Sequence, residues 1–160
     1  MPKLLFFRSH SFRYMGIWGF WFSKEKKEVL KWEKKAKSDD KDLINADLHG
    51  ADLEFADLKN KNLMGANFAD ANLYGADFSG AHLAAAHFNN AYANEADFSG
   101  ADLTMAGFVG TKLLNANFSG ANLRNTDFNG ANVMDADFSG AHLIDTNFGG
   151  TDTRHAYGLG

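Results

Sequence analysis

The chain has 160 residues, no cysteine, a single proline (Pro2) and a net charge of −4. That length suits one domain with a real core, and the lack of cysteine excludes disulfides, thiol nucleophiles and cysteine-held metals. The charge is uneven: residues 1–40 hold 10 Lys/Arg against 5 Asp/Glu (net +5), and residues 41–160 hold 6 against 15 (net −9), so the acidic body is not expected to bind nucleic acid phosphates directly.

In chain order, residues 1–22, MPKLLFFRSHSFRYMGIWGFWF, carry eight aromatics. Arg8, His10 and Arg13 break the apolar run well short of the roughly 20 residues a spanning helix needs. No small-x-small site comes after it, so no secretory leader is expected. Residues 23–37, SKEKKEVLKWEKKAK, read as a basic amphipathic helix with Ser23 as N-cap and Val29, Leu30 and Trp32 on one side. Residues 38–40 complete the joint to the body. Two readings of this head compete: an α-helical cap over the open end of the body, or attachment to a membrane surface through the aromatics and lysines of residues 1–35.

From residue 41 a five-residue period takes over. Large apolar residues recur from Leu43 to Phe148 in 22 pentads without an insertion: eleven Leu, nine Phe, Val133 and Ala93. Two places before each centre stand seventeen Ala, Thr111, Thr126, Thr146, Lys41 and Lys61. A step of five turns a helical side chain by about 140°, and on a strand it alternates faces, so neither element alone can bury this pattern.

The motif A-(D/N)-(L/F)-x-x, written here as ADLEF, ANLYG, ADFSG and ANLRN, resembles the pentapeptide-repeat family over residues 41–153. The resemblance implies an all-β fold, a right-handed quadrilateral parallel β-helix with 20 residues per coil. It also implies that the centre and the residue two before it point inward, with the other three positions facing solvent. Sorting residues 20 apart gives a Leu column (Leu63, Leu83, Leu103, Leu123, Leu143) and a Phe column (Phe68, Phe88, Phe108, Phe128, Phe148). The third column is mixed aliphatic and runs through Ala93, and the fourth is again Phe (Phe78, Phe98, Phe118, Phe138). A coil of 15 or 25 residues would mix Leu with Phe in every column; one of 10 could not enclose Phe. Ala93 is expected to leave a small void or local repacking. Residues 154–160 form a tail in which Tyr157 and Leu159 are expected to fold over Phe138 and Phe148.

Outside the core, three features are candidates for chemistry. Asp57, Asp77, Asp97 and Asp137 form an acidic stripe with Asn117; stacked carboxylates repel, and their pKa values are expected to rise unless screened. A cation site or an acidic recognition stripe competes there with the favoured reading, a ladder of ordinary backbone and side-chain hydrogen bonds. His82, Asp102, Asn122 and His142 share a column, but a flat wall converges poorly, and no catalytic, cofactor or metal residue is assigned. Tyr74, Tyr92, Lys112, Leu114 and Met134 form a candidate partner wall.

These features lead to a non-enzymatic scaffold for an unidentified protein partner, without cofactor, in the cytoplasm. The alternatives are a DNA-mimicking inhibitor or protector of DNA gyrase or another topoisomerase, and a scaffold tethered to a membrane by residues 1–35. The C-terminal end is the expected face for a homodimer.

Overall fold

The computed structural model describes residues 29–159. The aromatic segment 1–22 and residues 23–28 of the expected helix lie outside the described residues, as does Gly160.

From Asp42 onward the backbone pairs with itself in parallel at a constant offset. Asp42 bridges Asn62, Asn62 bridges His82, and the series continues to Asp137 with Tyr157. One coil therefore takes four pentads, and each coil lies on the next as neighbouring parallel strands do. Wall one comprises the pentads beginning at residues 41, 61, 81, 101, 121 and 141. Walls two, three and four begin 5, 10 and 15 residues later. The ladder runs through Tyr157, past the boundary expected at residue 153.

Pentad 66–70 shows why this backbone is self-sufficient. The Phe68 N–H donates to the His87 carbonyl (2.7 Å) and the Asp70 N–H to Asn89 (3.0 Å), both one coil on. The Asn67 N–H donates to Ala46 one coil back (2.9 Å), and the Ala66 N–H to Leu63 across the preceding corner (3.0 Å). The fifth donor, Ala69 N–H, has no backbone partner at hand and goes to Oδ1 of Asn67 (3.1 Å). The same side-chain bond holds Lys59 to Asp57 and Ser139 to Asp137. Asp and Asn thus fill the second position because they complete the pentad's hydrogen bonding.

The corner explains the period. The last residue of each pentad turns through the left-handed region, from Asn45 (φ 53°) through Gly80 (φ 65°) to Gly150 (φ 65°). Gly, Asn and Asp adopt it readily; a larger side chain there costs about 1–2 kcal/mol.

Inside, the two Phe columns form a continuous aromatic core. Phe98 and Phe118 stack with centroids 4.9 Å apart and planes within 3°. Across the coil the columns meet edge-on, as Phe88 does Phe98 at 5.5 Å and 89°. Both geometries suit the ring quadrupole. Leu63, Leu83, Leu103 and Leu123 are fully buried in wall one, while Leu143 and Phe148 are only partly buried. Each fully enclosed Leu or Phe contributes about 1.5–3 kcal/mol. Ala93 is buried in place of a Leu, and the stack closes to 4.5 Å at Phe88–Phe108 beside it. Thr111 and Thr126 take the inward Ala position because their hydroxyls donate to Phe88 and Leu103 carbonyls one coil back (2.7 and 2.9 Å).

Residues 29–36 form helix α1 against the first coil. Ala36 is fully buried, and Val29 and Trp32 pack on the core. Leu30, expected on the same side, is exposed: the inward face follows the steps 29, 32 and 36, and Leu30 lies about 100° off it. Glu33 accepts the Asp52 N–H (3.0 Å) and the Lys37 ammonium donates to the Asp52 carbonyl (2.8 Å). Lys61 occupies an inward position, only 6% exposed, and its ammonium donates to the Ser38 and Asp40 carbonyls (2.6 and 2.8 Å). At the other end Tyr157 does not fold over the Phe columns. It continues the outward column of Asp137 and is exposed, whereas Leu159 packs partly on the core. The close approach of Gly158 fixes that path: a Cβ there would stand 2.6 Å from the Phe138 carbonyl carbon.

Candidate functional site

The geometry leaves function to the outward positions of four flat walls. Wall four carries the acidic stripe, and at Asp77 and Asp137 local donors hold the carboxylates down. Burial pulls Asp77 upward, but hydrogen bonds from the Ser79 hydroxyl, the Ser79 N–H and the Lys59 ammonium outweigh it and hold Asp77 below the ordinary carboxylate value. Ser79 Oγ donates to Asp77 at 2.7 Å, and Lys59 lies 3.0 Å from its other oxygen. Asp137 is likewise lowered, by the Ser139 hydroxyl and N–H. Asn117 donates to Asp97 (3.2 Å), separating that carboxylate from Asp137. The expected upward shift is therefore reversed at Asp77 and Asp137, because serine and lysine donors supply local compensation.

Wall one holds His82, Asp102, Asn122 and His142 in one column. Asp102 Oδ1 is occupied by the Thr104 hydroxyl (2.6 Å), the Thr104 N–H (3.2 Å) and Asn122 Nδ2 (3.1 Å). These bonds make Asp102 part of the hydrogen-bonded ladder. Among the described residues, no cluster of three or more His, Asp or Glu side chains is placed to hold a metal ion.

An open hollow of about 470 Å³ lies beside the joint, where Lys37, Lys41, Lys59 and Lys61 meet Asp39 and Asp57. Three of these ammonium groups are already engaged: Lys37 with Asp52, Lys59 with Asp77, and Lys61 with the 38–40 backbone. The hollow is braced from within by its own lysines.

Walls one and three both carry large side chains outward: Ile44, Met64, Met105 and Ile144 are exposed on wall one, and wall three adds aromatic rings. Tyr92 is 54% exposed, and the Lys112 ammonium lies 5.9 Å from its ring centroid. Tyr74, Leu114 and Met134 are half-buried on the same wall. The fifth positions add residues that a reading of corners alone passes over. Phe55 (φ 53°) and Met105 (φ 61°) sit in left-handed corners, each 66% exposed. Phe55 meets Tyr74 edge-on at 5.4 Å. The sequence signal for them is a bulky apolar residue where most other corners carry Gly, Asn or Asp.

Two family models match in succession: pentapeptide repeats, in eight copies, over residues 46–83, and a pentapeptide repeat region over residues 81–157. The chain belongs to the pentapeptide-repeat family. Its coil is the family's right-handed quadrilateral β-helix. Among solved structures, the pentapeptide repeat protein Rfr23 from the cyanobacterium Cyanothece 51142 is 24% identical with a TM-score of 0.68, covering 83% of this chain and 98% of that one. A pentapeptide repeat protein from the Arabidopsis thaliana thylakoid lumen is 39% identical, with 61% and 64% of the two chains covered and a TM-score of 0.40. HetL from Nostoc sp. strain PCC 7120, a pentapeptide repeat protein involved in heterocyst differentiation regulation, is 28% identical, with 72% and 61% covered and a TM-score of 0.34. No curated protein sequence matches this chain.

Proposed function

We propose that this pentapeptide-repeat protein is a non-enzymatic scaffold that binds a protein partner along wall three. The observation that carries the reading is the aromatic content of wall three, where Phe55, Tyr74 and Tyr92 face outward, against the aliphatic Ile44, Met64 and Ile144 of wall one and the small residues of wall four. Wall three presents Tyr92, Lys112, Leu114 and Met134 on a backbone whose position is fixed by stacking, whereas wall four repeats Ser-Gly after each Phe from residue 79 onward. A backbone already fixed before binding adds no ordering cost of its own, so an array of large side chains on it favours association. In this reading α1 caps the first coil, with Ala36, Val29 and Trp32 on the core and Lys61 holding the joint.

The test is capture by the immobilised full chain from extracts of cells that produce it. Three forms are compared: the unaltered protein, a Tyr92→Ser/Leu114→Ser/Met134→Ser variant, and a wall-four control, Ser79→Ala/Ser99→Ala/Ser119→Ala. The expected result is a bound protein lost only with the wall-three variant. Equal capture by all three would refute the choice of wall, and turnover of a screened substrate would refute the non-enzymatic reading.

A second reading, mimicry of DNA toward a topoisomerase, draws on the net charge of −9 over residues 41–160. A supercoiling assay separates it from the first: unchanged gyrase activity at micromolar protein removes it.

A further inference from the structure

The N-terminal corner of wall three holds an arrangement that folding does not require. Phe55 is two-thirds exposed in a left-handed corner, where most other corners carry Asn, Asp or Gly. It buries little and strains the backbone, yet its ring is held in place from two sides. Beneath it the next coil has Gly75; a Cβ there would stand 2.5 Å from ring carbon Cε1, so glycine lets the ring lie against the neighbouring backbone. Beside it the Tyr74 ring stands edge-on at 85°. The Glu95 carboxylate beside it raises the Tyr74 phenol above its ordinary value. The result is a fixed, outward-facing aromatic pair.

Two carboxylates flank this pair. Glu54 adjoins Phe55 in sequence, and Glu95 reaches Tyr74 from the coil below; both are exposed. The Lys37 ammonium nearby is turned to the Asp52 carbonyl, and Lys112 lies a further coil along, over Tyr92. An apolar seat with an acidic rim selects an apolar side chain flanked by cations. Tyr92 with Lys112 shows this wall already accommodating an ammonium against an aromatic ring.

We propose that the Phe55–Tyr74–Glu95 corner docks a basic peptide segment, its apolar anchor seated on the two rings and its Lys or Arg side chains paired with Glu54 and Glu95. This rests on wall three as the working wall and adds the chemistry of the partner. The acidic rim complements such a segment and repels an acidic one. The fixed ring pair limits the ordering cost of docking.

The test is fluorescence anisotropy with the full chain and a labelled synthetic helix-forming peptide bearing Leu and Trp at i, i+3, i+4 and i+7 and Lys elsewhere. A twin peptide carries Glu for Lys. Phe55→Asn and Glu95→Lys are expected to weaken binding of the basic peptide about ten-fold or more, about 1.4 kcal/mol. Met105→Asn, a change of the same kind at an equally exposed corner, is expected to leave it unchanged, and the acidic twin is expected not to bind. Circular dichroism and thermal midpoints confirm that each variant is folded. No loss with Phe55→Asn, equal loss with Met105→Asn, or equal binding of the twin overturns the proposal. So does a peptide-independent dimer abolished by Phe55→Asn, which would assign the corner to a second copy. Failure of the peptide to bind overturns the partner chemistry alone, because capture by wall three is read separately by the Tyr92, Leu114 and Met134 substitutions.

Discussion

Asn89 Oδ1 accepts a hydrogen bond from the Val109 N–H one coil on, at 3.2 Å. In most pentads that donor is satisfied by Asp or Asn two residues before it, but here that place is held by Gly107. Asn94 does the same for Leu114 (3.0 Å), where the second position is Lys112. The acceptor has moved to another coil while the bond has been kept, which identifies backbone satisfaction as what the Asp/Asn positions supply.

Replacing the borrowed acceptor tests this directly. Asn89→Ala is expected to cost about 0.5–1.5 kcal/mol, the net value of one such bond. Adding Gly107→Asn is expected to restore most of it by returning the acceptor to its usual place. A double-mutant cycle in urea reads the coupling; strict additivity would mean that the bond is not the cause.

The core ladder sets a gradient of sensitivity. Phe98 is fully buried between Phe78 and Phe118, so Phe98→Ala is expected to cost about 3–5 kcal/mol. Phe148, stacked on Phe128 and only partly buried, is expected to cost markedly less when changed to Ala. Chemical denaturation checks the order.

Lys61 joins the coil to the segment before it. Lys61→Met keeps the apolar stem but removes the bonds to the Ser38 and Asp40 carbonyls. The expected cost is about 1.5–3 kcal/mol for losing a charged donor. Faster hydrogen exchange is expected across residues 36–40, with the Phe columns beyond the second coil unaffected.

How much of the molecule is legible in its sequence depends on what each position does. The 20-residue circuit shows because Phe98 must meet Phe118 and Leu103 must meet Leu123; like side chains repeat at the stacking distance, and nothing else in the chain competes with that signal. The second position is legible as to residue type but not as to charge behaviour. Asp77 shares its wall with three other aspartates in sequence, yet its titration is set by Ser79 and Lys59, whose reach is a matter of geometry. Phe55 is hidden because a pentad's fifth residue reads as a corner, and only its dihedral and the bare Gly75 beneath it show it as a fixed platform. Leu30 falls on the wrong face when apolar character is read without the helical angle.

The acid limb of stability is set by the lowered carboxylates. Asp77 and Asp137 titrate below the ordinary value, and Asp152, held mainly by the Arg154 guanidinium and N–H, is at about 2. A group whose folded pKa is depressed stabilises the fold above its unfolded value, near 4, and loses that contribution as pH falls through the folded value. Stability is therefore expected to fall between about pH 4 and pH 2. Asp77→Asn, which keeps an acceptor for Ser79, is expected to make that fall shallower. An unchanged slope would contradict the assignment.

The central claim, that wall three is the working surface, is tested most directly by hydrogen exchange of the protein with its captured partner bound. The Tyr74, Leu114 and Met134 N–H groups on wall three and the Ser79, Ser99, Ser119 and Ser139 N–H groups on wall four all donate to Asp or Asn side chains at the surface. They form two matched sets of local reporters. Binding is predicted to slow exchange in the wall-three set and leave the wall-four set unchanged; slowing confined to wall four, or equal in both, would contradict the account.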